Sequence, residues 1–515
     1  MIINQQKPEE LIRAKQLIHQ GELEKAWEIV LEFEKRDNLT ELEIHTCKLL
    51  KANLLYRDAR YKDAIDFADQ LIKESQERGD LLSSFDGLMI QGFYHAMVGD
   101  INKTENILNQ ADVLFQKMKE ELHIELNERE SFMIRIKANV YTWKGEVHRS
   151  LEYNQRALKL AEGSDDKELT SACLINIAEN YQLLRDYNKA KIFAERAIMN
   201  GYPPYLVYYL GVLIDILIKL NDIENAKLCL QQISEYKMKD ESKINDIIYL
   251  YYKALLLKSS LRAKNRAESE KLFKEVIDEI EISRNIQLFL GEKRILALIN
   301  LCDLLLIELR ITNDLNILDE INPYLRKLLE FSEQQRAYWV LAETHLLQAK
   351  LSLLTFDINK AKRFLTQAQQ IAERFGLTQM STKIASESTN LQERLSLWEK
   401  LKDSKATIAE RFDLAQLEEQ INGMVQNRAL LSTIVFETEV AIHKEKKICL
   451  VCRGEVLRFS YICECGTIYC DNCARAVTDL ENVCWVCEAP LDYLKPVKPI
   501  KEVEKAKIVK NSKKE

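Results

Sequence analysis

Apolar residues fall at helical spacing along most of the chain, and the helices they predict are interrupted by a recurring six-residue pattern. It reads GELEKA at 21–26, RYKDA at 60–64 (one residue shorter), GDINKT at 99–104, GEVHRS at 145–150, RDYNKA at 185–190, NDIENA at 221–226 and FDINKA at 356–361, with a weaker NRAES at 265–269. Each copy follows one apolar helical stretch and opens another, as ACLINIAENYQLL precedes RDYNKAKIFAERAI. The small residues ending the copies are Ala26, Ala64, Thr104, Ser150, Ala190, Ala226, Ser269 and Ala361, separated by 38, 40, 46, 40, 36, 43 and 92 residues. The last separation holds two units of 46, and NDLNIL at 313–318 supplies a degenerate copy between them. In each unit a polar turn reverses the chain, an apolar residue two places on staples the new helix, and the small residue lets the paired helices approach. One such hairpin cannot bury its own apolar stripe, so successive hairpins must stack into an extended array.

The pattern changes near residue 377. STNLQERLSLWEKLKDS and TIAERFDLAQLEEQINGMV read as charged amphipathic helices without the repeat turn, and Thr407 with Glu410 forms a capping box. Leu414, Leu417, Ile421 and Met424 then make a 3-4-3 stripe that either caps the array or pairs with a second chain. Glycine (14) and proline (7) are scarce in 515 residues, which favours helices over turn-rich sheets. No run of 18 apolar residues offers a membrane span, and MIINQQKPEELIRAKQ lacks a secretory h-region, so the expected setting is a reducing cytoplasm. Seventy-three basic against 80 acidic side chains, a net charge of −7, gives no support to nucleic-acid binding.

The turn followed by a small alanine resembles the second-helix start of the tetratricopeptide repeat, over roughly residues 8–376. That resemblance implies an all-α, right-handed helical solenoid that binds protein or peptide partners along its concave face. The units are longer and less regular than the family's usual 34 residues, as in archaeal and bacterial regulatory members. Within the array Trp27, Tyr56, Tyr141, Trp143 and Tyr181 read as packing residues, and Cys47, Cys173, Cys229 and Cys302 as inert core thiols. No HExxH pair, phosphate-binding GxxxxGK[ST] loop, GxSxG elbow or GxGxxG turn occurs.

Eight of the chain's 12 cysteines lie between 449 and 487, in the order C-x2-C-x10-C-x-C-x4-C-x2-C-x10-C-x2-C. Four close pairs are the arithmetic of two tetrahedral four-thiolate zinc sites, each pair supplying two sulfurs from one tight turn. A 47-residue segment, 446–492, with little apolar content needs metal to fold. YICECGTIYCDNCARAV reads as a short hairpin, with Gly466 after the second ligand, and a helix starting at Cys470 and carrying Cys473. In a treble-clef segment of this kind the ligands interleave. One zinc then takes Cys449, Cys452, Cys470 and Cys473, and the other Cys463, Cys465, Cys484 and Cys487; sequential pairing is the alternative.

The interleaved pattern resembles RING-type and FYVE-type fingers, and CECGTIYCDNC is similar to the in-between-RING fingers of ubiquitin ligases. The RING resemblance implies recruitment of a ubiquitin-conjugating enzyme at Leu450 and Val451. The chain departs from that family with Trp485 inside the last knuckle, Glu488 after it, and a four-residue gap between Cys465 and Cys470. LRFSYI before the third ligand lacks the basic run with which FYVE fingers hold phosphoinositides. Five basic and seven acidic side chains, with two sites of −2 each, bring the loaded finger to −6, a poor match for phosphate backbones or acidic lipid. Val451, Trp485 and Val486 are the candidates for an exposed apolar protein-binding surface, with packing on the small core the other role open to Trp485.

The final KPVKPIKEVEKAKIVKNSKKE, with eight lysines and three glutamates, reads as a disordered basic tail. The expected organisation is therefore an array over 8–376, capping or linking helices over 377–445, a two-zinc finger over 446–492, and a tail over 493–515. The leading functional expectation is a non-catalytic adaptor that holds one protein in the solenoid groove and a second at the finger. The alternative is a RING-like ubiquitin ligase whose solenoid selects substrate.

Overall fold

The computed structural model describes residues 8–20, 22–57, 60–97, 101–163, 166–200, 205–238, 243–260, 262–282, 284–334, 337–426, 448–456 and 460–491. The basic tail and residues 427–447 before the finger lie outside the described residues. Among the described residues nine helical hairpins run α1 (Glu9–Gln20) with α2 (Leu23–Glu34), α3 (Glu41–Arg57) with α4 (Tyr61–Arg78), and α5 (Leu81–Met97) with α6 (Ile101–Glu121). Next come α7 (Asn127–Trp143) with α8 (Val147–Ala161), α9 (Lys167–Leu183) with α10 (Tyr187–Met199), and α11 (Leu206–Lys219) with α12 (Ile223–Lys237). The last three are α13 (Lys243–Lys258) with α14 (Ala263–Ile282), α15 (Arg284–Thr312) with α16 (Ile317–Gln334), and α17 (Tyr338–Leu354) with α18 (Ile358–Arg374). The fold is all-α, a helical solenoid followed by a small cysteine-rich α+β domain.

The recurring pattern is the turn inside each hairpin. Gly145, Arg185, Asn221 and Phe356 adopt left-handed backbone, with φ of 78, 60, 58 and 59°. The residue after each returns its N–H to the carbonyl five positions back, as Asp186 N to Tyr181 O at 2.9 Å and Asp222 N to Leu217 O at 2.8 Å. These bonds close the first helix in the manner of a Schellman turn. Asp186, Asp222 and Asp357 then cap the second helix, accepting from the backbone N–H three residues on. The small residue follows one turn later, and all eight, from Ala26 to Ala361, are 0% exposed. A larger side chain at these positions would hold the paired helices apart. At NDLNIL the turn is present, with Asn313 left-handed and α16 opening at Ile317, but the buried position is the larger Ile321.

Residues up to Ala337, with 418–426, form one compact unit. Among its described residues consecutive odd-numbered helices touch while even-numbered ones make no comparable pairing, so the odd helices form the inner layer. Polar side chains bind each inner helix to the next. Asp86 on α5 accepts from His45 on α3 at 2.9 Å and from Arg129 on α7 at 2.7 Å. Burial opposes ionisation of Asp86, yet these two partners hold its carboxyl below the usual range. Asn176 on α9 donates to Asn139 on α7 at 3.4 Å, and Tyr208 on α11 to Glu179 on α9 at 2.5 Å. Tyr252 on α13 donates to Asp215 on α11 at 3.5 Å and accepts from Lys293 on α15 at 3.0 Å.

Tyr141 packs on Tyr153 and Tyr181 on Phe193, and Trp27 lies against the buried cluster of Leu11, Ile18, Val30, Phe33 and Leu54. The side chains of Tyr56 and Trp143 lie outside the described residues. Cys47, Cys173, Cys229 and Cys302 are buried, and burial pushes the first three thiols up to about 11 and Cys302 to about 12.

The second unit joins α17 and α18 to α19 (Thr378–Glu393), α20 (Leu395–Asp403), α21 (Ile408–Leu414) and the finger. Alpha-17 is almost wholly buried; its Glu343 and Lys350 are ion-paired with Lys383 and Glu387 of α19 at 2.9 and 2.8 Å. Thr407 and Glu410 form the expected capping box at the start of α21. The 3-4-3 stripe is not one helix. Gln416 turns left-handed at φ 54°, and the chain restarts as α22 (Leu417–Gln426), because the stripe bends to bury Leu417, Ile421 and Met424 at 0–1% exposure. Those side chains are thus covered within the chain itself. Among the described residues no helix is long and apolar enough to cross a membrane.

Candidate metal centres

The finger contains an antiparallel hairpin, β1 (Ser460–Ile462) and β2 (Ile468–Cys470), in the register Ser460↔Cys470, Tyr461↔Tyr469 and Ile462↔Ile468. Helix α23 (Asp471–Leu480) follows directly, with Cys470 as its N-cap and Cys473 in its first turn. Sulfurs there lie near the positive end of the helix, which favours their ionised form. The other three pairs sit in knuckles of one design. In each, the residue after the second cysteine is left-handed: Arg453 at 54°, Gly466 at 87° and Glu488 at 60°. Backbone bonds close the turns, among them Gly466 N to Cys463 O at 2.8 Å and Glu488 N to Cys484 O at 2.8 Å.

This geometry gathers the eight sulfurs into two groups. Those of Cys449, Cys452, Cys470 and Cys473 lie within 4.8 Å of one another, and so do those of Cys463, Cys465, Cys484 and Cys487. The groups interleave along the chain. Four sulfurs 2.3 Å from one zinc ion would stand about 3.8 Å apart at the corners of a tetrahedron. Cys452 and Cys470 are separated by 3.8 Å, Cys465 and Cys484 by 3.7 Å, and Cys463 and Cys487 by 3.3 Å. Within the first group the sulfurs shift one another's ionisation. Cys449 is held far below the ordinary thiol range by bonds from Cys452, Cys470 and Cys473, while Cys470 and Cys473 are pushed up beside that thiolate. In the second, burial opposes ionisation of Cys484, but the Tyr469 hydroxyl and nearby backbone N–H groups bring it down to about 6. A divalent cation at either centre would let all four sulfurs ionise together. The donor set and spacing fit such an ion.

The two groups differ in surroundings. The first buries three of its four cysteines; in the second Cys465 and Cys487 are exposed. Tyr469, 0% exposed, donates to Cys484 Sγ at 3.2 Å and accepts from Trp485 N at 3.0 Å, and Thr467 Oγ1 lies 3.0 Å from Cys465 Sγ. The backbone N–H of Cys470 donates to Cys449 Sγ at 3.3 Å. Two further side chains at the first group come from α18. Arg374 Nη1 donates to Cys452 Sγ at 3.4 Å, and Gln370 Oε1 lies 3.5 Å from Cys473 Sγ.

One expectation fails here. Val451 is 0% exposed and belongs to the finger's own core with Tyr461, Tyr469, Ala474 and Val477, so it offers no binding surface. A finger this small draws part of its core from an apolar side chain inside a knuckle. Trp485 is half-buried against that core, and Val486 is 59% exposed. Tyr469, Gln370 and Arg374 were missed by sequence reasoning. A retrospective signal exists for α18, where Arg363, Gln370 and Arg374 recur at spacings of 7 and 4 on one helix face.

Among curated protein sequences none matches the chain. Solved structures similar to it include a Rap protein complexed with competence and sporulation factor, at 12% identity over 76% of this chain and 98% of that one, with a TM-score of 0.43. The apo quorum sensor NprR from B. thuringiensis is similar at 15% identity over 69% and 95%, TM-score 0.46. A monomeric IFIT1 mutant is similar at 13% over 81% and 89%, TM-score 0.42. The family whose model matches is the tetratricopeptide repeat, over residues 131–198, the two hairpins α7 to α10.

Proposed function

We propose that the chain is a non-catalytic adaptor of a reducing, cytoplasmic setting: its helical array binds one protein or peptide, and a two-zinc finger engages a second protein. The observation that carries the first half is the inner layer. There Asn139, Asn176, Glu179, Tyr208 and Asp215 are half-buried and interlinked from helix to helix, a row of donors and acceptors suited to an extended chain lying across them. The second half rests on the two four-sulfur groups. Thiolate-only, tetrahedral donor sets select zinc over harder cations. Zinc at Cys449, Cys452, Cys470 and Cys473 and at Cys463, Cys465, Cys484 and Cys487 would supply folding stability to a domain whose core is too small to hold alone. The sulfurs would be ligands, not nucleophiles. Two linked sites can hold both partners with avidity. The ligase alternative asks for an exposed apolar first knuckle, and buried Val451 removes half of it.

The test compares proteins cross-linked in host cells to the wild type, to an Asn139→Ala/Asn176→Ala/Tyr208→Phe variant and to a Cys465→Ser variant. Each variant should lose one set of partners and retain the other. Loss of the same set in both would contradict the two-site reading, as would zinc-dependent discharge of ubiquitin from a charged conjugating enzyme.

A further inference from the structure

The first metal centre is not self-contained. Its surroundings include a helix of the last hairpin, reached across long stretches of sequence within the second unit. The Arg374 guanidinium spans the first knuckle, with Nη1 on Cys452 Sγ at 3.4 Å and Nη2 on the Glu455 carbonyl. Gly454 makes room for it: a Cβ there would stand 1.8 Å from Arg374 Nε and 2.1 Å from Cζ. One and three turns back along α18, Gln370 meets Cys473 and Arg363 is ion-paired with Glu481, just past α23, at 2.7 Å. Between Ala361 and Ala372 no residue of α18 is exposed, although this helix is the outer member of its hairpin. The finger and α19 together cover it.

We infer that α18 recognises the metal-loaded first centre through Arg374, so that occupancy of this centre decides whether the finger stays seated on the last hairpin. The inference rests on the zinc reading above. Four thiolates around a divalent ion carry −2, a charge that complements a guanidinium that is always charged. Gln370 stands beside the other ligand pair, with its Oε1 3.5 Å from Cys473 Sγ. Three anchors on one face of α18 thus hold both ligand pairs, Cys452 from the knuckle and Cys473 from α23, against the same helix. The second centre stays outside this contact, and its exposed Cys465, Cys487 and neighbouring Val486 are left as the face a second protein can reach.

The test is pulsed alkylation of the full-length, zinc-loaded protein in the presence of a chelator, with each cysteine's labelling rate read by mass spectrometry. Arg374→Gln and Gly454→Ala should each accelerate labelling of Cys449, Cys452, Cys470 and Cys473 by about 10–100-fold, the usual loss when a partner of a metal ligand is removed. Labelling of Cys463, Cys465, Cys484 and Cys487 should be unchanged. Arg363→Glu and Glu481→Arg should each accelerate the first four, and the two together should restore the slow rate, which no loss of local folding would do. Wild-type rates in Arg374→Gln, or equal acceleration of all eight cysteines, would overturn the inference while leaving the zinc reading intact. If zinc fails to protect the wild-type cysteines at all, the zinc reading falls, and this inference with it.

Discussion

Protonation of His345 should open the second unit as pH falls. The ring lies on α17 at 3% exposure, with Nδ1 3.0 Å from Gln348 Oε1 and Nε2 buried without a partner. Burial holds its pKa down to about 4, from an ordinary 6.5; the bond to Gln348 opposes this, and the nearby charge of Arg453 adds to it. Between those values the unfolded state binds the proton and the folded state does not. The stability is therefore fully present above pH 6.5 and is lost as pH falls towards 4. Moving from pH 7.5 to 5.5 should cost about 1.3 kcal/mol, roughly a tenfold change in an opening equilibrium. Amide hydrogen exchange over α17 reads this directly, with zinc in excess. Comparison with His345→Gln at each pH cancels the intrinsic pH dependence of exchange. The ratio of wild-type to variant protection should fall roughly tenfold between pH 7.5 and 5.5. A ratio that stays constant would refute the reasoning.

The second centre, with two exposed ligands, should surrender its metal to a chelator before the first, giving two phases in a colorimetric release assay. Gly211→Ala would place a Cβ 2.3 Å from the ring of buried Tyr252, so differential scanning calorimetry should show the first unit destabilised, by about 1–3 kcal/mol, with metal content unchanged.

What the sequence made legible follows from how local each cause is. The hairpin turn is written in six residues, because a left-handed residue, a capping aspartate and a buried small side chain must sit at fixed offsets. The same holds for the knuckles and the helix that starts at Cys470. Even so, only Gly466 advertised its backbone; Arg453 and Glu488 adopt the same left-handed turn because the neighbouring ligand geometry requires it. The seat of the finger was not legible. Arg374 meets Cys452 across 78 residues, and Arg363 meets Glu481 across 118, and nothing in the local pattern of α18 names the distant partner. Val451 was misplaced for a related reason: an apolar residue inside a knuckle can face either way, and the needs of a small core decide which.

The most direct test of the account is zinc X-ray absorption on the full-length protein, combined with metal quantitation under reducing conditions. The account predicts two zinc ions per chain, each with four sulfur neighbours at about 2.3 Å and no nitrogen or oxygen in the shell. One ion or none per chain, a mixed shell, or cysteines joined as disulfides would contradict it.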